Sequence, residues 1–156
     1  MKIVLHTDFE RVWCDGSSPY VFYMINRMRG GNQTKWPEKQ MELIHEVRKL
    51  FSEVYSIVDL SECTSISASE AANYTNFLLP QQLKAGVRML ALIKPVNPLA
   101  QGNLKDALRL MEGKRVCLFD KFEEALNAIN RSRLFNLSKR VNKERALFSR
   151  LFPNFL

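Results

Sequence analysis

The sequence predicts a single α/β domain built on a mixed, mostly parallel sheet of about six strands with an N-terminal antiparallel hairpin. Three observations carry this. Apolar, β-prone runs alternate with segments of helical period across residues 36–130, the pattern of right-handed strand–helix–strand crossovers. Three short β-prone runs come first, with too few residues between them for a helix. The length of 156 residues with a hydrophobic fraction of 46% suits one core, since two independent ones would each be near the lower size limit.

KIVLH (2–6) and ERVWC (10–14) are separated by Thr7 and Asp8, and PYVFYMI (19–25) follows the turn signal Asp15-Gly16-Ser17-Ser18-Pro19. Together they read as antiparallel strands joined by tight turns. The period then changes. After Gly30-Gly31-Asn32, Trp36-Pro37 opens a helix carrying Met41, Ile44, Val47 and Phe51 on one face and ending near Glu53; proline suits the first turn because its missing N–H has no partner there. VYSIVDL (54–60) has only Tyr55, Ser56 and Asp59 as polar interruptions, the composition of an inner strand covered on both faces.

Residues 67–85 form the next helix, opened by a Ser67–Glu70 capping box, kinked at Pro80 and stopped by Gly86. VRMLALI (87–93) is a second buried strand, 94–98 (KPVNP) a loop, 101–112 a helix ended by Gly113, and RVCLF (115–119) the last strand. Asp120 and Glu123 repeat the capping-box spacing before a helix over 121–130.

The charge is unevenly placed. Residues 131–156 hold seven basic side chains against one acid, Glu144, a net of +6, whereas 1–130 hold sixteen against fifteen. The body is nearly neutral, so a basic surface of the kind a dedicated nucleic-acid domain carries is not expected. In the segment 131–156, Leu134, Leu137, Val141, Phe148, Leu151 and Phe152 recur at steps of three, four or seven. This predicts a basic amphipathic helical extension, broken near Asn142, with its stripe buried on the domain or across a homodimer. Fraying, an anionic membrane surface and nucleic acid are the competing uses of such a helix.

The order of elements and the segment IVDLSECTSISAS (57–69) resemble the STAS fold of bacterial anti-sigma-factor antagonists, and more closely its SpoIIAA-like branch, which is akin to the SEC14 lipid-binding domain. Asp59-Leu60-Ser61 match the end of the antagonists' strand. In register, Ser67 stands where their motif has aspartate, Ala68 where it has the phospho-acceptor serine and Glu70 where it has glycine. LLPQQLKAGVRMLALIKP (78–95) and FDKFEEAL (119–126) resemble the SpoIIAA-like branch. The likeness covers roughly residues 1–130 and rests on these motifs together with element order. It implies a non-enzymatic binding or regulatory module. With alanine at the acceptor position, phosphotransfer of the usual kind is not expected.

Ligands of open α/β sheets lie beyond the carboxyl ends of the strands. That edge collects Asp59, Ser61, Ser65, Ser67, Ser69, Lys94 and Asp120, a candidate binding or regulatory loop. The competing reading makes Ser67 and Asp120 helix caps and gives Asp59 to nearby backbone N–H groups. Catalytic templates find no support. The chain has neither a GxGxxG nor a Walker-type loop, and His6 and His45 lack H-x-x-x-H spacing, so no nucleotide cofactor or zinc is expected. Cys14, Cys63 and Cys117 each lie in or beside an apolar run and read as buried free thiols. Arg27, Arg29 and Lys35 around Gly30-Gly31 could hold an anion at a helix start, or form a solvated loop.

No run approaches the roughly 18 apolar residues of a membrane-spanning helix, and MKIVLHTDFE has too short an apolar run for a secretory leader. A cytoplasmic protein is therefore expected. Two functions remain: a STAS-like module that regulates by binding a protein partner, and a carrier or sensor of an apolar small molecule or lipid. An unrecognised hydrolase is a remote third. A broad exposed apolar patch over a filled core favours the first, and an apolar cavity of several hundred Å3 the second.

Overall fold

A computed structural model of the chain describes residues 2–6, 10–25, 36–111 and 115–151. The expected anion loop around Arg27, Arg29 and Lys35 and the helix stop at Gly113 lie outside these. Strands β1 (Lys2–His6), β2 (Glu10–Cys14), β3 (Tyr20–Ile25), β4 (Val54–Asp59), β5 (Val87–Ile93) and β6 (Val116–Phe119) form one sheet in the order β1-β2-β3-β4-β5-β6. The first two pairings are antiparallel and the last three parallel. The domain is α/β and the sheet mixed, as the alternation of periods predicts.

Because each parallel strand lies beside its predecessor and each crossover is right-handed, the crossover helices stack on one face. These are α1 (Trp36–Leu50), the helical run from α2 (Ala68–Asn73) to α3 (Leu79–Lys84), and α4 (Pro98–Leu108). The main core lies there: Val12, Val21, Tyr23 and Ile25 of β2 and β3, Val54 and Val58 of β4, and Leu90 and Leu92 of β5 meet Leu43, Ile44, Ala71, Leu79 and Leu104 of the helices. Helix α5 (Phe122–Leu151) covers the other face. There Ala125 and Ile129 pack on Tyr20, Tyr55, Ile57, Ala91 and Ile93. β4 lies between β3 and β5 and is apolar toward both layers. The hairpin end of this second face carries an aromatic row: Trp13 stacks on Phe22 (5.3 Å) and Phe22 on Phe122 (6.1 Å).

Five local features differ from the expectation. Helix α1 ends at Leu50 rather than Glu53. The helical run 68–84 passes through a π-turn over Tyr74–Leu78, just before Pro80. The Leu79 N–H reaches back five residues to the Tyr74 carbonyl, and the wider turn gives the proline ring room where an α-helix would clash with the carbonyl four residues earlier. The buried Thr75 hydroxyl donates to the Ala71 and Ala72 carbonyls.

Helix α4 starts at Pro98, inside the expected loop, because the Asn97 side chain accepts from the N–H groups of Leu99 and Ala100. Cys14 and Cys63 are buried, but Cys117 is exposed. On β6, Val116 and Leu118 belong to the main core, so alternation turns Cys117 to the α5 face. Finally, α5 runs unbroken through Asn142.

The expected cap and stop of the 68–84 run are present. Ser67 Oγ accepts from the Glu70 N–H, and the Glu70 carboxylate accepts from the Ser67 N–H. Gly86 takes φ +99°, with the Arg48 guanidinium 3.1 Å from where a Cβ would stand, so both backbone and neighbour call for glycine.

Candidate functional site

At the carboxyl edge of the parallel strands the candidate loop forms three separate groups. The half-buried Asp59 carboxylate accepts from the Ser61 N–H at 2.9 Å, closing the turn after β4. Ser67 is the α2 N-cap, with its Oγ also 3.1 Å from Ser69 Oγ. Lys94 Nζ donates to the Asp120 carboxylate at 2.8 Å, which holds that carboxyl below its ordinary value. Ser65 is exposed and its carbonyl accepts from the Cys63 thiol.

Among the described residues no hydrogen bond or ion pair joins these groups. Asp120 does not cap α5: the helix begins at Phe122 and the carboxylate is taken by Lys94. The edge therefore consists of caps and turns. The strand order also lacks the reversal that opens a crevice in doubly wound sheets.

A cleft lies at the opposite, amino edge. Its volume is about 620 Å3, and its walls are Glu53 before β4, Arg88 and Met89 at the start of β5, Arg115 and Cys117 around the start of β6, and Ser132, Phe135, Asn136 and Arg140 of α5. Each wall has a local cause. Val54 pairs with Val87 and Tyr55 with Met89, so Arg88 is the extra residue of a bulge that turns it out of the ladder.

Helix α5 explains the roof. It has 30 residues, about 45 Å at 1.5 Å each, whereas the seven-residue β5 spans about 23 Å. The helix overshoots the sheet. The line that packs Ala125 and Ile129 on the sheet continues as Ser132, Asn136 and Arg140, so helix and strand ends stand apart there. A smaller space of about 100 Å3 shares Glu53, Asn136 and Arg140 with the cleft and adds Arg133.

The charges are one-sided. Glu53 is the acid of the cleft. It accepts from the Tyr55 hydroxyl at 2.7 Å and lies 3.8 Å from Arg88 Nε. Arg140 pairs with Glu144 along the helix at 3.2 Å. Arg115 and Arg133 have no carboxylate partner among the described residues. Partial burial raises the Cys117 thiol above its ordinary value, the reverse of an activated thiolate. Sequence reasoning missed the cleft because Glu53, Arg88, Arg115 and Arg140 stand on four elements, and each alone reads as a solvated charge. His45 Nδ1 bonds the Met41 carbonyl of its own helix. Among the described residues no three His, Cys, Asp or Glu side chains group to hold a metal, and no helix is long and apolar enough to cross a membrane.

Tyr55 gives the amino edge a measurable property. Burial, reinforced by the hydrogen bond to Glu53, pushes its phenol up to about 12 from 10.0. The unfolded chain sheds this proton near pH 10 and the folded chain near 12, so in that window the folded state holds the extra proton. The stabilisation is complete below pH 10 and is lost as pH rises toward 12. Tyr55→Phe should shrink the fall in melting temperature across this window without abolishing it, because burial also raises Tyr23 and Tyr74. An unchanged alkaline profile in the variant would refute this.

On the outward side of α5, Leu134, Leu137 and Val141 are 66%, 47% and 46% exposed, at spacings of three and four. At 100° per residue they lie about 120° round the helix from the sheet-facing line. The expectation that this stripe is buried on its own domain is thus overturned: the helix turns its polar line toward the domain and its apolar line away. The side chains of Phe148 and Leu151 and the whole of Phe152 are outside the described residues. Compared with protein-family models, curated proteins and solved structures, the chain has no match.

Proposed function

We propose that the protein is a non-enzymatic interaction module, STAS-like in the sense of its element order, that docks an acidic amphipathic helix of a partner protein along the outward face of α5. The observation that carries this reading is the exposed line Leu134, Leu137 and Val141 on a helix that overshoots its own sheet. Water-exposed leucine and valine at helical spacing make the seam for a second helix.

The flanks select its charge. Residues 131–151 carry seven basic side chains and one acid, so a second copy of the chain would bring like charge to the same seam, whereas a partner with glutamate or aspartate beside its apolar stripe would neutralise it. Regulation then resides in docking, with Ala68 in place of a phospho-acceptor. The arginine-rich lining of the cleft differs from the apolar cavity that a lipid carrier needs.

The test uses the full chain and a synthetic helical peptide with leucine at its seam and glutamate on both flanks. The peptide should bind at low ionic strength, weaken as salt rises, and lose at least about tenfold in affinity against Leu134→Ser/Leu137→Ser/Val141→Ser. The unbound chain should sediment as a monomer. A dimer that this triple variant dissolves would replace the acidic partner with a second copy, and binding to phosphatidylglycerol vesicles but not to the peptide would replace it with a membrane surface.

A further inference from the structure

We infer that the amino-edge cleft beneath α5 is a binding site for a small organic phosphate, a dianionic head on an apolar body. Three arginines from three elements line it: Arg88 from the bulge of β5, Arg115 from the approach to β6, and Arg140 from α5. Arg133 stands in the space that opens beside it. Guanidinium presents its donors in a planar fork that matches phosphate oxygens two at a time.

Against them stands Glu53, already engaged by the Tyr55 hydroxyl and Arg88. With Arg88 sharing Glu53 and Arg140 paired to Glu144, Arg115 of the lining and Arg133 beside it are left without a carboxylate partner among the described residues, an excess that a phosphate monoester of charge near −2 would balance. The apolar body has its own place, since the Met89 side chain and the Phe135 ring share the same walls. Lys139 sits over that ring, 4.5 Å from its centre. A volume of about 620 Å3 is in the range of small-molecule sites. Leu134 and Val141 of the outward seam line neither space, whereas Leu137 borders the smaller one beside Arg133 and Arg140.

The ligand closes a gap between α5 and the strand ends, so its binding should be read both as heat and as a rise in melting temperature. The probe is phenyl phosphate, titrated calorimetrically into the full chain, with inorganic phosphate and phenol as its separated halves. Phenyl phosphate is expected to bind below about 1 mM at low ionic strength, more tightly than inorganic phosphate, with no binding of phenol. Arg115→Gln and Arg140→Gln should each weaken it by about tenfold.

Arg109→Gln should leave binding unchanged, since Arg109 pairs with Asp106 away from the cleft. Circular-dichroism melting of each unbound variant checks that it is folded, and having two cleft variants guards against the failure of one. The inference is overturned if phenyl phosphate does not bind, if both cleft variants bind as the natural chain does, or if Arg109→Gln weakens binding as much as they do, which would reduce the effect to general surface charge.

Discussion

Gln40→Leu should lower the unfolding free energy by about 2–4 kcal/mol, although it places an apolar side chain in an apolar core. Gln40 of α1, Ser56 of β4 and Gln82 of α3 are at most 2% exposed. They form a chain of donors: Gln82 Nε2 gives to Gln40 Oε1 at 2.9 Å, and Gln40 Nε2 to Ser56 Oγ at 3.1 Å. Gln40 is the middle member. Its loss strands one dry group on each neighbour, and each costs about 1–3 kcal/mol in desolvation that nothing repays. Replacing all three at once, as Gln40→Leu/Ser56→Ala/Gln82→Leu, should recover part of the loss because the three side chains no longer strand one another's polar atoms, while the buried Tyr74 hydroxyl loses its contact with Gln82. Urea unfolding of the single and triple variants measures the difference. A triple variant no more stable than the single would show that the three do not act as a unit.

Ile129→Ala should cost about 2–5 kcal/mol and act on one helix in particular. Ala125 and Ile129 are the side chains of α5 that are fully buried against the sheet, a small anchor for 30 residues. Removing the larger one opens a cavity beside Tyr55 and Ile57 and weakens the hold on everything beyond it. Amide exchange in residues 122–140 should accelerate more than in β4 or β5, because the main core lies on the other face. Leu134→Ala, on the same helix but facing outward, should change stability by less than about 0.5 kcal/mol. If the two substitutions cost the same, the outward line is covered by contacts of its own.

The fold was legible where one physical demand dominated. The run from Val54 to Val58 is buried at five consecutive positions, Ser56 being its one small polar member, because both of its faces are covered. Ser67 with Glu70, and Gly86 with its positive φ, mark helix ends by local chemistry that tertiary context does not alter. Elsewhere two demands competed. Pro95, Asn97 and Pro98 read as a turn, but Asn97 is a cap and Pro98 a first-turn proline. Pro80 reads as a kink in an α-helix, and the run carries a widened turn just before it. The change to a basic composition at 131 suggested a separate extension, whereas α5 crosses it unbroken. The candidate loop was recognised by local spacing, and the structure places its residues in caps, turns and one ion pair. The cleft could not be read at all, because it exists only through the overshoot of α5 and a bulge at Arg88.

The one-directional winding of the sheet also sets an order of shelter during synthesis. As the ribosome delivers the chain, each crossover helix can settle on the same face as its predecessor, so the main core fills progressively from α1 onward. The other face waits. Tyr20, Tyr55, Ile57, Ala91 and Ile93 are all made before the first residue of α5, and among the described residues no earlier helix packs on them. Until residues 122–129 clear the exit tunnel, a nearly finished sheet presents this apolar face to the cell, the kind of surface that chaperones hold and neighbouring nascent chains adhere to.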